Sequence, residues 1–332
     1  MTAPLPPGLT IGAIDPATDL DEITAFVQRV CIAESGRPYL TKAEIAMRLG
    51  MPDTDPAADT LVLRDATGAL VGAEWIERTA PFVMTGADGF VAPERCGEGI
   101  GSFLLQWART AAAQHVGDAP DGARVILSLG VDAEHRPSIE LLEGAGGRLR
   151  RYFLEMRIDF DGPIPEPVLP DGIALRTIVP GVDDLEAWLA LDEAFRDHFG
   201  HVERPHDIGV ARLRSFMERP EFDPELWWLA VDGAMIAGNC FCYGSVEDDD
   251  RVGYVGSLGV RRPWRNRGLA KALLRTAFIE MRNRGKTAVT LHVDAESLTV
   301  ATRLYESVGM RESDRIANYE FELRPGEELQ VT

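Results

Sequence analysis

The stretch that decides the fold is residues 258–284, LGVRRPWRNRGLAKALLRTAFIEMRNR. Its first residues, which end at Val260, have the apolar character of a buried strand. From Leu269 onward, apolar residues recur at helical spacing on one face. The basic turn RNRGLA at 265–270 lies between them, and Gly285 follows as a helix terminator. The segment therefore predicts a strand, a tight turn and an amphipathic helix in succession.

The turn and the start of the helix have the properties of a phosphate site. N–H groups in the first turn of a helix lack intrahelical partners, and the helix dipole favours negative charge beside them. Gly268 and Ala270 carry little or no side chain, so a ligand can approach the backbone closely. Arg265 and Arg267 can add charge-assisted hydrogen bonds. The pattern is neither a Walker loop nor the dinucleotide fingerprint, because the further residues that each requires do not follow.

The pattern Arg265-x-x-Gly268-x-Ala270 after an extended strand resembles the acyl-CoA pyrophosphate loop of the GNAT superfamily of N-acetyltransferases. A second signature of that superfamily follows in residues 295–310, AESLTVATRLYESVGM. The family's usual asparagine falls on Ser297 here. The positions that match this second signature are Ala301, Leu304, Tyr305, Glu306, Gly309 and Met310.

The same organisation occurs twice along the chain. Residues 91–105 repeat the strand, glycine-containing turn and helix, and residues 125–147 parallel the second signature. The tetrad VDAE occurs at 131–134 and again at 293–296. A repeat of this length is typical of a duplicated domain rather than of a solenoid.

A stretch rich in proline and glycine, residues 160–172, separates the two copies and has the composition of a linker. Over nearly its whole length the chain resembles tandem GNAT proteins, and within that group the mycothiol synthase type. The resemblance predicts an α/β protein of two tandem GNAT domains, residues 1–163 and 164–332. Each domain is expected to be a mixed, partly splayed sheet with helices on both faces.

The resemblance implies acetyl-CoA as the cosubstrate. In GNAT proteins the strand before the pyrophosphate loop splays from its neighbour, and its free backbone groups bind the pantetheine arm. One backbone N–H group of that strand, which contains Ser257 here, would stabilise the oxyanion. The cofactor-binding residues implied in this half are Leu258, Val260, Arg265, Asn266, Arg267, Gly268, Leu269, Ala270 and Ser297. The corresponding glycines of the N-terminal half are Gly97, Gly99 and Gly101.

Tyr305 is the candidate catalytic acid. A phenol, whose ordinary pKa is about 10, is a reasonable proton donor to a developing thiolate. Periodicity alone favours a core tyrosine, because Tyr305 lies on the apolar stripe of its helix, whereas the family pattern favours catalysis. In the N-terminal half, Leu142 aligns with Tyr305 and Cys96 with Arg265. We therefore expect the N-terminal domain to be non-catalytic and the C-terminal domain to be catalytic.

The sequence indicates no single general base. Tyr254 lies on the cofactor strand, near where GNAT enzymes often carry a glutamate, and a tyrosine is a poor base near neutral pH. His292 is a second possibility, although a satisfied structural histidine is the more common case.

The segment AFRDHFGHVERPH, residues 194–206, resembles a stretch of tandem GNAT members that covers the acceptor site. A plain polar loop is the alternative interpretation. A metal site is disfavoured, because the spacings match no standard ligand pattern and acyl transfer needs no metal. The residues expected to contact the acceptor are Asp197, His198, His201 and Tyr254.

Composition limits the partners and the location. Of the residues, 45% are hydrophobic, no long uncharged apolar run occurs, and the first residues lack the features of a signal peptide. The formal net charge of −19 disfavours nucleic acid and anionic membranes as partners. Cys240 and Cys242 alternate along a predicted strand, so we expect buried thiols in a reducing cytoplasm. The sequence leaves the oligomeric state open.

The function expected from the sequence is transfer of an acetyl group from acetyl-CoA to the primary amine of a small molecule, without a metal. Two alternatives remain. One is a non-catalytic acyl-CoA-binding or scaffold protein, which Cys96, Ser297 and the unassigned base favour. The other is an N-acetyltransferase that acts on proteins or peptides.

Overall fold

The chain forms two compact units. A computed structural model describes residues 3–38, 40–51, 53–219, 221–245, 249–296 and 300–331. The first unit is Met1–Arg151 together with Ile316–Leu329. The second unit is Tyr152–Arg315 together with Gln330–Thr332.

The first unit contains a sheet in which every neighbouring pair of strands is antiparallel except one. In spatial order the strands are β1 (Thr10–Gly12), β2 (Thr60–Arg64), β3 (Leu70–Arg78), β4 (Met84–Val91), β5 (Val125–Asp132) and β12 (Arg311–Arg324). The helices are α1 (Leu20–Ser35), α2 (Lys42–Leu49), α3 (Pro56–Asp59), α4 (Ile100–Gln114) and α5 (Arg136–Gly144). The exception is β4 with β5, which are parallel because α4 crosses over between them.

The second unit has the same plan. In spatial order its strands are β7 (Ile173–Thr177), β8 (Trp227–Asp232), β9 (Met235–Tyr243), β10 (Val252–Val260), β11 (Ala288–Asp294) and β6 (Arg148–Asp159). Its helices are α6 (Asp184–Phe195), α7 (His206–Met217), α8 (Leu269–Asn283) and α9 (Val300–Ser307). Here β10 and β11 form the parallel pair, and α8 connects them. The predicted mixed α/β architecture is therefore confirmed.

Each repeat supplies its last strand to the other unit. Strand β6 ends the first repeat in sequence, yet its residues 153–159 pair with β11 of the second unit. Strand β12 ends the second repeat, yet from Ile316 onward it pairs with β5 of the first unit. The compact units consequently divide the chain between Arg151 and Tyr152, not at the linker. As folding domains, residues 1–163 and 164–332 stay a prediction.

The helix predicted from the deciding stretch has a fully buried face. Leu273, Leu274, Ala277, Phe278 and Met281 of α8 have no measurable exposure. Strand β10 meets this face closely, because a Cβ atom added at Gly253 would lie only 2.7 Å from Met281 Sδ. This contact packs the last turns of α8 against the beginning of β10. In the described part of the chain, no helix is long and apolar enough to cross a membrane.

The exchange of strands predicts different behaviour for two fragments of the chain. A fragment of residues 164–332 lacks β6 and leaves the edge of β11 unpaired, which favours aggregation. A fragment of residues 148–332 retains that partner. We expect cooperative thermal unfolding, followed by circular dichroism, only for the longer fragment. Equal unfolding cooperativity of the two fragments would show that β6 is not needed for the second unit to fold.

Candidate active site

Strands β10 and β11 are paired over only three residues. Val252, Gly253 and Tyr254 pair with residues 288–290, and no further pair between these strands occurs among the described residues. Because β10 continues to Val260, the edge of its later part that faces β11 is open. The partly splayed sheet that the sequence predicts is therefore present in the second unit.

The backbone of β10 directs particular groups toward this gap. The N–H group of Arg261 donates to Ala237 of β9 at 2.9 Å. Successive residues of a strand direct their backbone groups to opposite sides, so Leu258 and Val260 face the gap. The carbonyl of Val260 already accepts a hydrogen bond from Arg265 at 3.0 Å. The N–H group of Leu258 is thus a donor placed on the open edge.

A β-bulge interrupts β10 just before this point. The pairing with β9 shifts register between Val255 and Ser257, so Gly256 is the extra residue. A Cβ atom at Gly256 would lie 2.7 Å from the Tyr243 ring, which explains the glycine. A bulge increases local twist, which helps β10 to part from β11.

The two faces of β10 are covered by different helices. The Cβ position of Gly253 faces Met281 of α8, whereas that of Gly259 lies 2.9 Å from the Cβ atom of Ala194 in α6. Because side chains alternate along a strand, Tyr254 points away from α8. The gap between β10 and β11 is therefore flanked by α8 on one face of the sheet and by α6 on the other.

The turn that follows β10 presents a row of unpaired donors. In the described structure, the N–H groups of residues 266–271 make no hydrogen bond, and the first intrahelical bond runs from Ala272 to Gly268 at 3.1 Å. Asn266 and Gly268 have positive φ angles, 60° and 82°. No heavy atom lies within 4 Å of a Cβ position at Gly268. These features fit a pyrophosphate group at the start of α8.

Arg265 is held by the protein itself. Its guanidinium donates to the carbonyls of Val260 and Ala194, each at 3.0 Å, and pairs with Asp197 at 3.2 Å. The side chain therefore ties the turn to the end of α6. This placement differs from the direct phosphate contact that the sequence suggests for Arg265.

Two other cations are better placed to meet phosphate. Arg267 is exposed, and among the described residues it donates only to the carbonyl of Asp171, at 3.1 Å. Lys271, in the first turn of α8, has no ionic partner within the described part of the chain. Lys271 is not among the residues predicted above, although a lysine three residues after Gly268 in a helix's first turn is a usable signal. Of the other predicted residues, Leu269 is buried and offers only its backbone, and Ser297 lies outside the described residues.

The turn of the first unit has similar geometry and opposite charge. Gly97 and Gly99 both have a φ angle of 84°. Glu98 stands where the second unit has Arg267, and it accepts a hydrogen bond from Arg95 Nε at 2.7 Å. Gly101 serves packing, because a Cβ atom there would lie 3.1 Å from Leu141. A carboxylate in this turn disfavours a phosphate group.

Cys96 replaces Arg265 in that turn and is exposed. Partial burial, and then the negative charges of Glu34 and Glu94, raise the pKa of its thiol. Cys240 and Cys242, by contrast, are buried free thiols with their sulfur atoms 3.6 Å apart, as predicted.

Tyr305 and Leu142 occupy equivalent places at the ends of their helices. The Tyr305 carbonyl accepts a hydrogen bond from Met310 at 3.1 Å, and the Leu142 carbonyl accepts one from Gly147 at 2.8 Å. Both helices thus end in the same six-residue cap, with Gly309 in the left-handed conformation of the second one. This equivalence supports the sequence alignment that places an aliphatic residue opposite the candidate acid.

The phenol of Tyr305 is buried, with 8% of the residue exposed. Burial, together with the nearby thiol of Cys240, raises the pKa of Tyr305 to about 12. Within the described residues its hydroxyl has no hydrogen-bond partner. Cys240 pairs with Leu258 across the ladder, so Tyr305 lies toward the face of β10 that α8 covers.

The two candidates for the base are in contact with each other. Tyr254 Oη lies 3.2 Å from His292 Nδ1. His292 Nε2 lies 4.0 Å from a carboxylate oxygen of Glu155, which belongs to β6. Glu155 could not be predicted from the sequence, because it comes from the other repeat and no spacing relates it to His292.

The predicted acceptor residues separate into two groups. Asp197 pairs with Arg262 and Arg265, which lower the pKa of its carboxyl group. His201 Nε2 lies 3.0 Å from Asp192. Both therefore have structural partners within the second unit.

His198 is different, because no described residue hydrogen-bonds its ring. It packs against Phe195 with ring centroids 4.5 Å apart. Partial burial, followed by the positive charge of Arg265, lowers the pKa of His198, so its ring is neutral near pH 7. The negative charge of Asp294, at the end of β11, opposes this lowering of the His198 pKa.

Comparison with known proteins identifies the class. Residues 186–310 match the model of the acetyltransferase (GNAT) family. A GCN5-related N-acetyltransferase from Sphaerobacter thermophilus has a TM-score of 0.82 and 32% identity, over 99% of this chain and 100% of that one. A tandem GNAT protein from the clavulanic acid biosynthesis pathway shares the fold, with a TM-score of 0.73 and 19% identity over 96% of this chain and 100% of that one.

Curated relatives narrow the family further. The mycothiol acetyltransferase of Salinispora tropica is 31% identical over 315 residues, which cover 92% of this chain and 94% of the relative. The mycothiol acetyltransferase of Salinispora arenicola is 34% identical, over 82% of this chain and 84% of the relative. The chain therefore belongs to the GNAT acetyltransferase family, in its tandem-domain branch with the mycothiol acetyltransferases, and it is an acyltransferase.

Gly268→Val tests the assignment of the turn. A β-branched residue is strained at a φ angle of 82°, and its methyl groups would fill the open space in front of the N–H row. We expect calorimetry to show an affinity for CoA in the second unit that is at least 100-fold weaker, about 2.7 kcal/mol.

Gly285→Val is the matched control. Gly285, just beyond the other end of α8, has a φ angle of 83° and equally open surroundings. A valine at residue 285 imposes similar backbone strain but lies away from the N–H row, so the affinity for CoA should be retained. Equal losses in both variants would attribute the effect to strain, and equal retention would remove the phosphate assignment.

Proposed function

We propose that this acyltransferase moves an acetyl group from acetyl-CoA to the primary amine of a small molecule, and that the reaction takes place in the second unit. The observation that carries the proposal is the open edge of β10, which leads directly into the unpaired N–H groups of residues 266–271. The family match at residues 186–310 lies wholly within that unit. The names of the curated relatives support a small-molecule acceptor.

The residues of the second unit fit acetyl-CoA in extended form. The row of N–H groups would bind the pyrophosphate, with Arg267 and Lys271 supplying positive charge. The open edge of β10 would hydrogen-bond the pantetheine arm in the manner of an added strand. Arg265 would act indirectly, by holding the turn against α6.

The reacting thioester would then lie in the gap between β10 and β11. The N–H group of Leu258 faces this gap and would stabilise negative charge on the thioester oxygen. The amine would approach from the face opposite α8, near His198 and the loop after α6. The sulfur would leave toward the other face, where Tyr305 lies.

The raised pKa of Tyr305 decides how it would act. Complete proton transfer from a phenol with a pKa of about 12 to a thiolate, whose ordinary pKa is about 8.5, costs about 5 kcal/mol. Tyr305 would therefore contribute mainly by donating a hydrogen bond to the sulfur as its charge develops. Because the raised pKa preserves the phenolic proton, Tyr305 should cause no loss of activity with rising pH below about pH 11.

The first unit would not catalyse the same reaction. It has Leu142 in place of the phenol and Glu98 in place of a cation. Its strands β4 and β5 also part after three paired residues, so the scaffold for a cosubstrate is retained.

Release of free thiol from acetyl-CoA, followed with a chromogenic reagent over a panel of small amines and peptides, tests the function. Transfer to one or more small amines supports the proposal, and transfer to peptides alone would reassign the acceptor class. Gly268→Val should abolish turnover, and Gly99→Val should leave it nearly intact. The opposite pattern would place the reaction in the first unit.

Tyr305→Phe tests the candidate acid. The change keeps the packing and removes only the hydroxyl, so kcat should fall by roughly 10- to 150-fold while CoA affinity is retained, because a hydrogen bond to a charged group contributes about 1.5–3 kcal/mol. Tyr319→Phe is the control, because Tyr319 lies in the first unit and donates a hydrogen bond to Glu143 at 2.9 Å. If kcat is unchanged in Tyr305→Phe and thermal unfolding is as for the wild type, Tyr305 is a core residue without a catalytic role.

A further inference from the structure

Three strands of the second unit, and the first residues of β12 that also belong to that unit, contribute polar side chains to one connected cluster. Tyr254 lies on β10, His292 on β11, Glu155 on β6 and Ser313 on β12. Tyr254 Oη is 3.2 Å from His292 Nδ1, and His292 Nε2 is 4.0 Å from Glu155 Oε2. Ser313 Oγ donates to the other carboxylate oxygen of Glu155 at 2.6 Å.

The members of the cluster differ in how deeply they are buried. Glu155 is buried, with 2% of the residue exposed, whereas His292 and Tyr254 are only half-buried. Glu155 and His292 are directly opposite each other in the antiparallel ladder, so their side chains share a face. The buried carboxylate therefore faces the inner nitrogen of the imidazole, and the other nitrogen faces the phenol.

The outer end of the cluster lies where the gap begins. Tyr254 forms the last rung between β10 and β11, opposite Thr290, and the open edge starts with the next residue. Its side chain points away from α8, to the face from which the amine would approach. Ser257, at the bulge, is three residues beyond Tyr254, a distance of about 10 Å along β10.

We propose that Tyr254, His292 and Glu155 form a proton relay that deprotonates the ammonium group of the acceptor. The inference rests on the proposed function and names the base for that reaction. Tyr254 is the catalytic residue that meets the amine, directly or through one water molecule. His292 receives the proton, and Glu155, held by Ser313, is a positioning residue that stabilises the imidazolium.

The proton and electron balance is complete without a further reagent. An N–H bond of the ammonium breaks as its proton passes to Tyr254 Oη, while the proton of Tyr254 passes to His292 Nδ1. The nitrogen electron pair then attacks the carbonyl carbon, and the carbon–sulfur bond breaks. A second proton leaves the nitrogen as the amide forms, and it balances the proton that the thiolate gains. His292 afterwards returns its proton to solvent.

This arrangement resolves the difficulty that a tyrosine alone is a poor base near neutral pH. An imidazole has an ordinary pKa of about 6.5, which suits a base at physiological pH. The carboxylate of Glu155 favours the charged imidazole, and so keeps the proton acceptor effective. Among the described residues, the strands beside His292 place Tyr254 of β10, Glu155 and Arg157 of β6, and Asp294 of β11 on the face that carries the imidazole. Arg157 is itself paired with Asp159 at 2.8 Å.

The test compares pH profiles of kcat/KM for the acceptor in the full-length chain. Tyr254→Phe and His292→Gln should each lower kcat/KM by roughly 10²–10⁴-fold with unchanged affinity for CoA. Glu155→Gln removes the negative charge, so the midpoint of the acidic limb should move to lower pH. Tyr319→Phe and His115→Gln, both in the first unit, are matched controls and should behave as the wild type.

A second substitution supplies a rescue. Tyr254→Glu places a carboxylate base at the edge of the gap, so it should restore much of the activity that His292→Gln removes. Structural damage by His292→Gln would not be repaired by a charge at residue 254, and thermal unfolding of each variant measures such damage directly.

The outcomes separate the relay from the function. If the wild type transfers acetyl groups to amines but Tyr254→Phe and His292→Gln keep its kcat/KM and pH profile, the relay is wrong and the function stands. If the wild type transfers nothing to any amine, both are wrong. A loss of activity in His292→Gln that Tyr254→Glu restores supports the relay.

Discussion

The restriction of parallel pairing between β10 and β11 to three residues is the constraint on which the rest of the site depends. If β10 were paired along its whole length, its backbone N–H and C=O groups would be hydrogen-bonded within the sheet, and none would be available to a ligand. Parting after Tyr254 leaves Leu258 facing an open edge, between one face covered by α8 and another covered by α6. The bulge at Gly256 and the helix α8 hold the strand in that position.

Different groups lie on the two faces of the sheet beside the open edge of β10, and they give the proposed proton transfers a direction. On one face lies a buried phenol, whose raised pKa keeps it protonated. On the other lie an imidazole and a buried carboxylate, of which the latter belongs to a strand of the other repeat. A proton donor and a proton acceptor are thereby kept apart by the sheet itself. The exchange of β6 and β12 therefore has a chemical consequence as well as a structural one, since neither repeat alone contains the whole set.

The two units illustrate how one scaffold can hold different chemistry. Both retain the parting strands and the left-handed glycine at the start of the crossover helix. They differ at the side chains that would meet the ligand, where Arg267 is replaced by Glu98 and Tyr305 by Leu142. Backbone geometry is thus shared, while the two units differ in the charge and the hydroxyl group at these positions.

The sequence by itself determined the local features of this protein. Apolar periodicity placed α8 and its buried face, Gly268 marked the left-handed turn, and the internal repeat indicated two similar sheets, because each of these depends on residues close together in the chain. Only the tertiary structure decided which side chains from distant parts of the chain contact each other. It turned Arg265 inward and brought Glu155 to His292 through a strand exchange. Pairing between strands that are distant in sequence depends on the geometry of the strand edges and on packing. The spacing of residues within either repeat therefore does not predict it.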